Sequence, residues 1–173
     1  MDRIPNSYFQ TYDSLFLAQD LIGKTLVRQF DTGEIIRRKI LETEAYLGKE
    51  DLACHASKGK TPRTSVMFEE GGKVYVYFIY GMYWLLNIVT GEKDHPQAVL
   101  IRGIEECLGP GRIGKLLQLD KSFYGENLET SSRIWIEDSS LKGSVLSTPR
   151  IGVDYAGEIW KNKPWRFIHE NLT

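Results

Sequence analysis

The chain is expected to fold as one compact α+β domain spanning residues 1–173, built on a curved, mainly antiparallel β-sheet with short flanking helices and a protruding β-hairpin. Three observations predict this. Several short runs rich in β-branched and aromatic residues are separated by Gly, Asp and Ser turns, the punctuation of strands. Helical spacing of apolar residues occurs only in brief stretches. The segment KVYVYFIYGMYWLLNIVT (73–90) divides at Gly81 into two apolar halves, as a hairpin does.

Residues 1–12 are polar and are expected to form a loosely held arm. From Ser14 to Ile22, Leu15, Ala18, Leu21 and Ile22 fall at helical spacing, with Ser14 as N-cap and Gly23 as the stop. KTLVRQF and EIIRRKILETEAY then predict two strands around the turn Asp31-Thr32-Gly33. If no bulge interrupts the second, Ile36, Arg38, Ile40, Glu42, Glu44 and Tyr46 share a face. Residues 47–68 are loop-rich. In the hairpin, Tyr75, Tyr77 and Ile79 point one way and Val74, Val76, Phe78 and Tyr80 the other, with the bend at Tyr80-Gly81-Met82. AVLIRGI (98–104) reads as a strand, the GPGRI stretch from Gly109 as a helix start, and RIWIED (133–138) as a strand. Residues 139–149 read as a polar loop, and at least one further strand closes the domain.

Composition limits the functional classes. The apolar fraction of 42% and charged fraction of 26% are those of a soluble globular chain. The start MDRIPNSYFQ has no apolar stretch of the signal-peptide type, so an intracellular setting is expected. Val74 to Gly91 carries no charge over 18 residues, long enough to raise a membrane span, but its β-branched and aromatic content favours strands and no membrane association is expected. Cys54 and Cys107 form no CxxC and have no His at ligand spacing, so neither a disulfide framework nor a metal site is expected. A net charge of −1 argues against a uniformly basic nucleic-acid binder, though not against a local basic face.

Several residues carry chemistry of their own. Carboxylates in LETEAY are unusual in so apolar a strand; they are either edge residues facing solvent or pocket-lining groups. Lys58, Lys60 and Arg63 alternate with Ser57, Thr61, Thr64 and Ser65, a set suited to phosphate, although by itself such a stretch is more often a solvated loop. His55 alone is more often structural. Arg102 interrupts an apolar strand and needs a carboxylate, with Glu44, Glu105 and Glu106 available. Gly111 and Arg112 open a helix whose N–H groups suit an anion or a plain cap. Tyr80, at the bend, is either buried under a loop or a protruding aromatic wedge.

The order LETEAYLG, EDLACH, TPR, VMF, YVYFIYGMYWLLN, AVLIRGIE, GPGRI and RIGVDYAGE resembles the 3-methyladenine DNA glycosylase family, which includes the alkyladenine (N-methylpurine) glycosylases, over roughly Leu17 to Phe167. The resemblance implies base excision: a monomer binds duplex DNA, flips an alkylated or deaminated purine into a pocket and hydrolyses its N-glycosidic bond without metal or cofactor. It implies Glu44 as the base that activates water and Arg102 as its support. It implies a pocket of Tyr46, His55 and Tyr77, with Asn87 excluding undamaged guanine and the Ile151 carbonyl touching the water. Tyr80 would fill the vacated slot beside Met82, and Lys58, Lys60, Thr61, Arg63, Gly111 and Arg112 would hold DNA. Two departures from the family pattern stand out: Glu105–Leu108 is a short connection before GPGRI, and the loop after His55 is one residue shorter than in some relatives. The HxE and PCxxC signatures of zinc deaminases are absent from the sequence. The remaining alternatives are a non-catalytic damage binder and a nucleoside hydrolase.

Overall fold

A computed structural model describes residues 2–172. Its strands are β1 (Thr25–Gln29), β2 (Ile35–Leu47), β3 (Val74–Ile79), β4 (Tyr83–Thr90), β5 (Gln97–Ile104), β6 (Cys107–Leu108), β7 (Ile134–Glu137), β8 (Val145–Thr148) and β9 (Arg166–His169). Its α-helices are α1 (Asn6–Thr11), α2 (Ser14–Asp20), α3 (Pro110–Leu116) and α4 (Glu158–Lys161). The strands form one nine-stranded sheet in the order β3-β4-β5-β2-β1-β7, with β6 beside β5, β9 beside β2 and β8 beside β9. All pairings are antiparallel, and the architecture is the predicted α+β one.

Two apolar layers sandwich the sheet. On one face, Phe9 of α1, Leu17 and Ala18 of α2 with its C-cap Leu21, and Ile113 of α3 with its C-cap Leu117 pack on Val74, Val76, Ile88, Val99 and Ile101. On the other, Cys54, Ala56, Val66, Met67 and Phe68 of the 52–68 segment cover Tyr75, Val89 and Ala98. That segment is loop-rich as expected, broken only by 3₁₀ turns at His55–Lys58 and Ser65–Phe68. The hairpin alternation is also as expected: Val74 and Val76 go to the first layer, and Tyr75 and Tyr77 to the second.

The structure corrects four expectations. The N-terminal segment is no loose arm, because Ile4 and Phe9 are buried and the chain is tied down at both ends of α1. The Ile4 N–H donates to the Ile136 carbonyl at 2.9 Å and the Gly91 N–H to the Phe9 carbonyl at 2.8 Å. Gly71 permits this approach, since a Cβ there would stand 2.4 Å from the Phe9 oxygen. The N-cap of α2 is Asp13, whose carboxylate accepts the Phe16 N–H at 2.9 Å; Ser14 is buried and donates to the Tyr46 carbonyl at 3.0 Å. Residues 145–148 of the expected polar loop form β8, because β9 offers them a free edge.

The fourth correction is a bulge in β2. Register steps from Ile40–Ile104 to Glu42–Gly103 and then to Thr43–Ile101, so Leu41 is extra on β2 and Arg102 is extra on β5. Parity changes at Leu41. Ile40 and Ala45 therefore lie in the helix-covered layer, and the Thr43 hydroxyl donates to the Ala18 carbonyl at 2.5 Å. Glu42, Glu44 and Tyr46 turn to the opposite face, away from Ile36 and Ile40.

Candidate active site

That opposite face opens into a cavity of about 450 Å³ between the hairpin, β5, the 52–63 segment, the start of α3 and the 151–155 loop. Its walls are aromatic. The His55 and Tyr77 rings meet edge to face at 4.6 Å, and the Arg63 guanidinium lies 5.1 Å from the centre of the Tyr77 ring. Nδ1 of His55 shares a hydrogen bond of 3.0 Å with the Tyr75 hydroxyl. Burial, with Arg63 and Lys58 nearby, pushes the imidazole down to about 4, so it is neutral at neutral pH. Asn87 is buried in the wall, where its amide donates to the Tyr75 carbonyl at 3.2 Å. Cys54 lines the cavity, but burial pushes its thiol up to about 12, which leaves it unreactive.

Behind Tyr46 stands Glu44, with 0% of its surface exposed. One carboxylate oxygen accepts the Ile151 N–H at 2.8 Å and the other accepts the Tyr46 hydroxyl at 2.8 Å. Arg102 Nε makes an ion-pair contact of 3.5 Å with the first. Burial raises the proton affinity of Glu44, while Arg102 first, then the two hydrogen bonds and Arg150, oppose that rise. A carboxylate offers about four lone-pair sites, so these contacts leave it acceptor capacity for a water.

The 7–107 and 105–172 stretches of the chain match the family model described as methylpurine-DNA glycosylase. Three similar proteins carry the provisional name 3-methyladenine DNA glycosylase. The one from Methanocella arvoryzae is 40% identical, over 99% of this chain and 94% of its own length. The one from Psychrobacter cryohalolentis is 38% identical, over 86% and 87%. The one from Borreliella burgdorferi is 41% identical, over 96% and 94%. The chain belongs to the methylpurine-DNA glycosylase family.

In this glycosylase, Tyr46, His55, Tyr77, Asn87 and Arg102 line one cavity, and Glu44 touches two of them, Tyr46 and Arg102. Ile151 joins them through its N–H on Glu44, whereas the expectation concerned its carbonyl. Glu105 and Glu106 are not partners of Arg102: the first accepts the Lys39 N–H at 2.9 Å and the second pairs with Arg38 at 2.8 Å. Tyr80 stands clear of the core at 83% exposure beside exposed Met82, which removes the buried reading of the bend. Both Tyr80 (φ 55°) and Gly81 (φ 65°) are left-handed, and the Met82 N–H donates to the Ile79 carbonyl at 3.2 Å, the requirements of a tight primed turn. Lys58, Lys60, Thr61, Arg63 and Arg112 are exposed, and Arg63, Gly111 and Arg112 border the cavity. Helix α3 has only seven residues, and Gly111 serves there as a close seat for the Tyr83 ring, 2.7 Å from where a Cβ would be.

Sequence reasoning missed the supports of this glycosylase's site. Arg150 and Asp51 form a fully buried pair with contacts of 2.6 and 2.9 Å. Asp51 also accepts the Leu47 and Ala53 N–H groups at 3.1 Å each, and Arg150 donates to the Ala45 carbonyl at 2.9 Å. The pair fastens the end of β2, the segment leading to His55 and the loop carrying Ile151. Glu42, one of the LETEAY carboxylates, accepts from Arg102 at 3.1 Å and from Arg166 at 2.6 Å, an arginine pairing that its strand pattern does not reveal. Tyr155 borders the cavity, with its hydroxyl on the Ala53 carbonyl at 2.7 Å.

Among the described residues, no helix is long and apolar enough to cross a membrane.

Proposed function

We propose that this glycosylase works as a monomer that turns an alkylated or deaminated purine, of the 3-methyladenine, hypoxanthine and ethenoadenine class, out of duplex DNA into the aromatic cavity. Glu44 then activates a water. The water oxygen attacks C1′, the C1′–N bond breaks with its electron pair leaving on the base, and Glu44 takes the proton. An abasic site remains. The observation that carries this reading is the fully buried carboxylate of Glu44, held by Tyr46, Ile151 and Arg102, three residues that line the same cavity as His55 and Tyr77.

The chemistry fits these groups. Burial strengthens Glu44 as a base, and its negative charge favours the oxocarbenium-like transition state. Tyr46 and Tyr77 favour cationic, electron-poor rings. Neutral His55 accepts or donates at the base edge without repelling a cationic purine. Asn87 in the wall crowds the exocyclic amine of normal guanine. Among the described residues no lysine lines the cavity, in keeping with hydrolysis and no Schiff-base step.

Tyr80 serves as the wedge, flanked by Met82. Covering its ring, about 150 Å² at about 25 cal/mol per Å², yields roughly 4 kcal/mol. Extruding a base costs a few kcal/mol, least for a damaged pair. The two are comparable, so the wedge assists extrusion without forcing it on every base. Lys58, Lys60, Thr61, Arg63, Gly111 and Arg112 hold the DNA around the cavity mouth.

Single-turnover base release from duplexes carrying each lesion tests the reading. Proton transfer alone is worth roughly 10²–10⁴-fold, so Glu44→Gln should lose at least about a hundredfold. Release by Glu44→Gln at the parent's rate would remove Glu44 from the reaction. Duplex binding with no release by the parent would make the protein a damage binder, and turnover of free nucleosides would make it a nucleoside hydrolase.

A further inference from the structure

Glu42 has no part in the scheme above, yet it is the carboxylate nearer to Arg102 and the one that also meets Arg166. Its Oε1 accepts from Arg102 Nε at 3.1 Å and from Arg166 Nε at 2.6 Å, while Arg102 reaches Glu44 only at 3.5 Å. The bulge makes this possible by setting Arg102 as the extra residue opposite two glutamates two positions apart. Gly103 leaves the space, for a Cβ there would lie 2.9 Å from the Glu42 Cβ. Glu42 is buried, and its contacts to two arginines hold it in one place.

We propose that Glu42 is a positioning residue for hydrolysis, holding Arg102 between two carboxylates so that Glu44 keeps its strength as a base. The inference rests on Glu44 being that base. Were Arg102 committed wholly to Glu44, the carboxylate would be a weaker proton acceptor. The groups facing Glu44 are Glu42 and Tyr46 from β2, Arg102 from β5, Arg166 opposite it on β9, Tyr77 from β3, and Arg150 and Tyr155 from the 150–155 segment. Of the two carboxylates next to Arg102, only Glu42 also carries a second arginine at hydrogen-bond distance, so it sets how Arg102's charge is divided.

The test follows base release against pH under single-turnover conditions. The substrate is a duplex with one N-methylated purine, a cationic base that leaves without protonation, so the low-pH limb reports the base. Glu42→Gln removes a negative charge and frees Arg102 for Glu44. Both effects move the low-pH limb to lower pH, and the weaker base lowers the plateau about tenfold. Arg166→Gln removes a positive charge and leaves Glu42 to draw on Arg102 alone, which moves the limb to higher pH. Shifts of opposite sign are the expected result; distortion of the site would not separate the two variants by sign. Unmoved limbs, or limbs that move together, overturn the proposal. If Glu42→Gln does not fold, the half-buried Arg166→Gln decides alone, and an unmoved limb overturns the proposal. Glu44→Gln runs beside them. If it releases base at the parent's rate, the base itself is wrong. If it is inactive while the limbs stay fixed, only the role of Glu42 falls.

Discussion

Tyr80 shows what one exposed residue costs the free protein. A tyrosine at φ 55° is strained, by roughly 1–2 kcal/mol for a side chain in the left-handed region, and at 83% exposure its ring recovers little of this by packing. Asn adopts that conformation readily. Tyr80→Asn should therefore raise the melting temperature by about 2–4 °C, at roughly 1 kcal/mol relieved in a chain of this size. The same change should weaken binding to lesion-containing duplex. Calorimetry and a binding titration check the two halves, and a variant that melts lower would show that the ring does support the fold. Stability and the proposed wedge role thus oppose each other at one residue. The tyrosine-rich run around Gly81 could be read from the sequence because the turn demands φ > 0 and the apolar halves flank it symmetrically.

At the scale of the element, the site depends on β2 and on what fastens its end. Removing one member of a fully buried ion pair leaves an uncompensated charge, at a cost of about 3–5 kcal/mol. Asp51→Ala should lower the melting temperature by at least about 6 °C. It should also slow base release, because the loop that presents the Ile151 N–H to Glu44 loses its anchor. A variant melting within 2 °C of the parent, a margin of about 1 kcal/mol or less, would show the pair to be dispensable. This element also marks where reading the sequence stopped. The LETEAY carboxylates were visible because charge is unusual in so apolar a strand. The parity change at Leu41 was not, since a bulge leaves the residue pattern of an ordinary strand and only the partner's register reveals it. Arg150 and Asp51 lie 99 positions apart, so nothing local links them. The opening segment misled through its polar composition: Ile4 and Phe9, two apolar residues, are enough to fix it once Gly71 lets the backbones meet.

For the molecule as a whole, the question is how a chain of net charge −1 holds a polyanion. Distribution answers it. Glu137, Glu126 and Asp51 are paired with Arg37, Arg133 and Arg150, whereas among the described residues Lys58, Lys60, Arg63 and Arg112 enter no ion pair. The four phosphate contacts proposed for them imply that log K falls against log salt with a slope of about −3 to −4, close to a hundredfold between roughly 50 and 200 mM salt. Lys60→Ala should make the slope shallower by about 1 and weaken damaged and undamaged duplex alike. Fluorescence titrations at several salt concentrations measure this, and an unchanged slope would move the DNA track elsewhere. The fold class was legible from turn chemistry and strand composition. The arrangement of charge was not, because it depends on which side chains the folded sheet brings together.

The two irregularities in the β2–β5 ladder offset each other. Leu41 advances one strand by a residue and Arg102 advances its neighbour by the same amount, so beyond Thr43 and Ile101 the strands are again in step. Either one by itself would leave every later pair one residue out of step, setting Glu44 and Tyr46 opposite different residues of β5. Loss of Leu41 alone, or of Arg102 alone, would therefore slide one strand against the other, and loss of Arg102 would also take away the guanidinium beside Glu44.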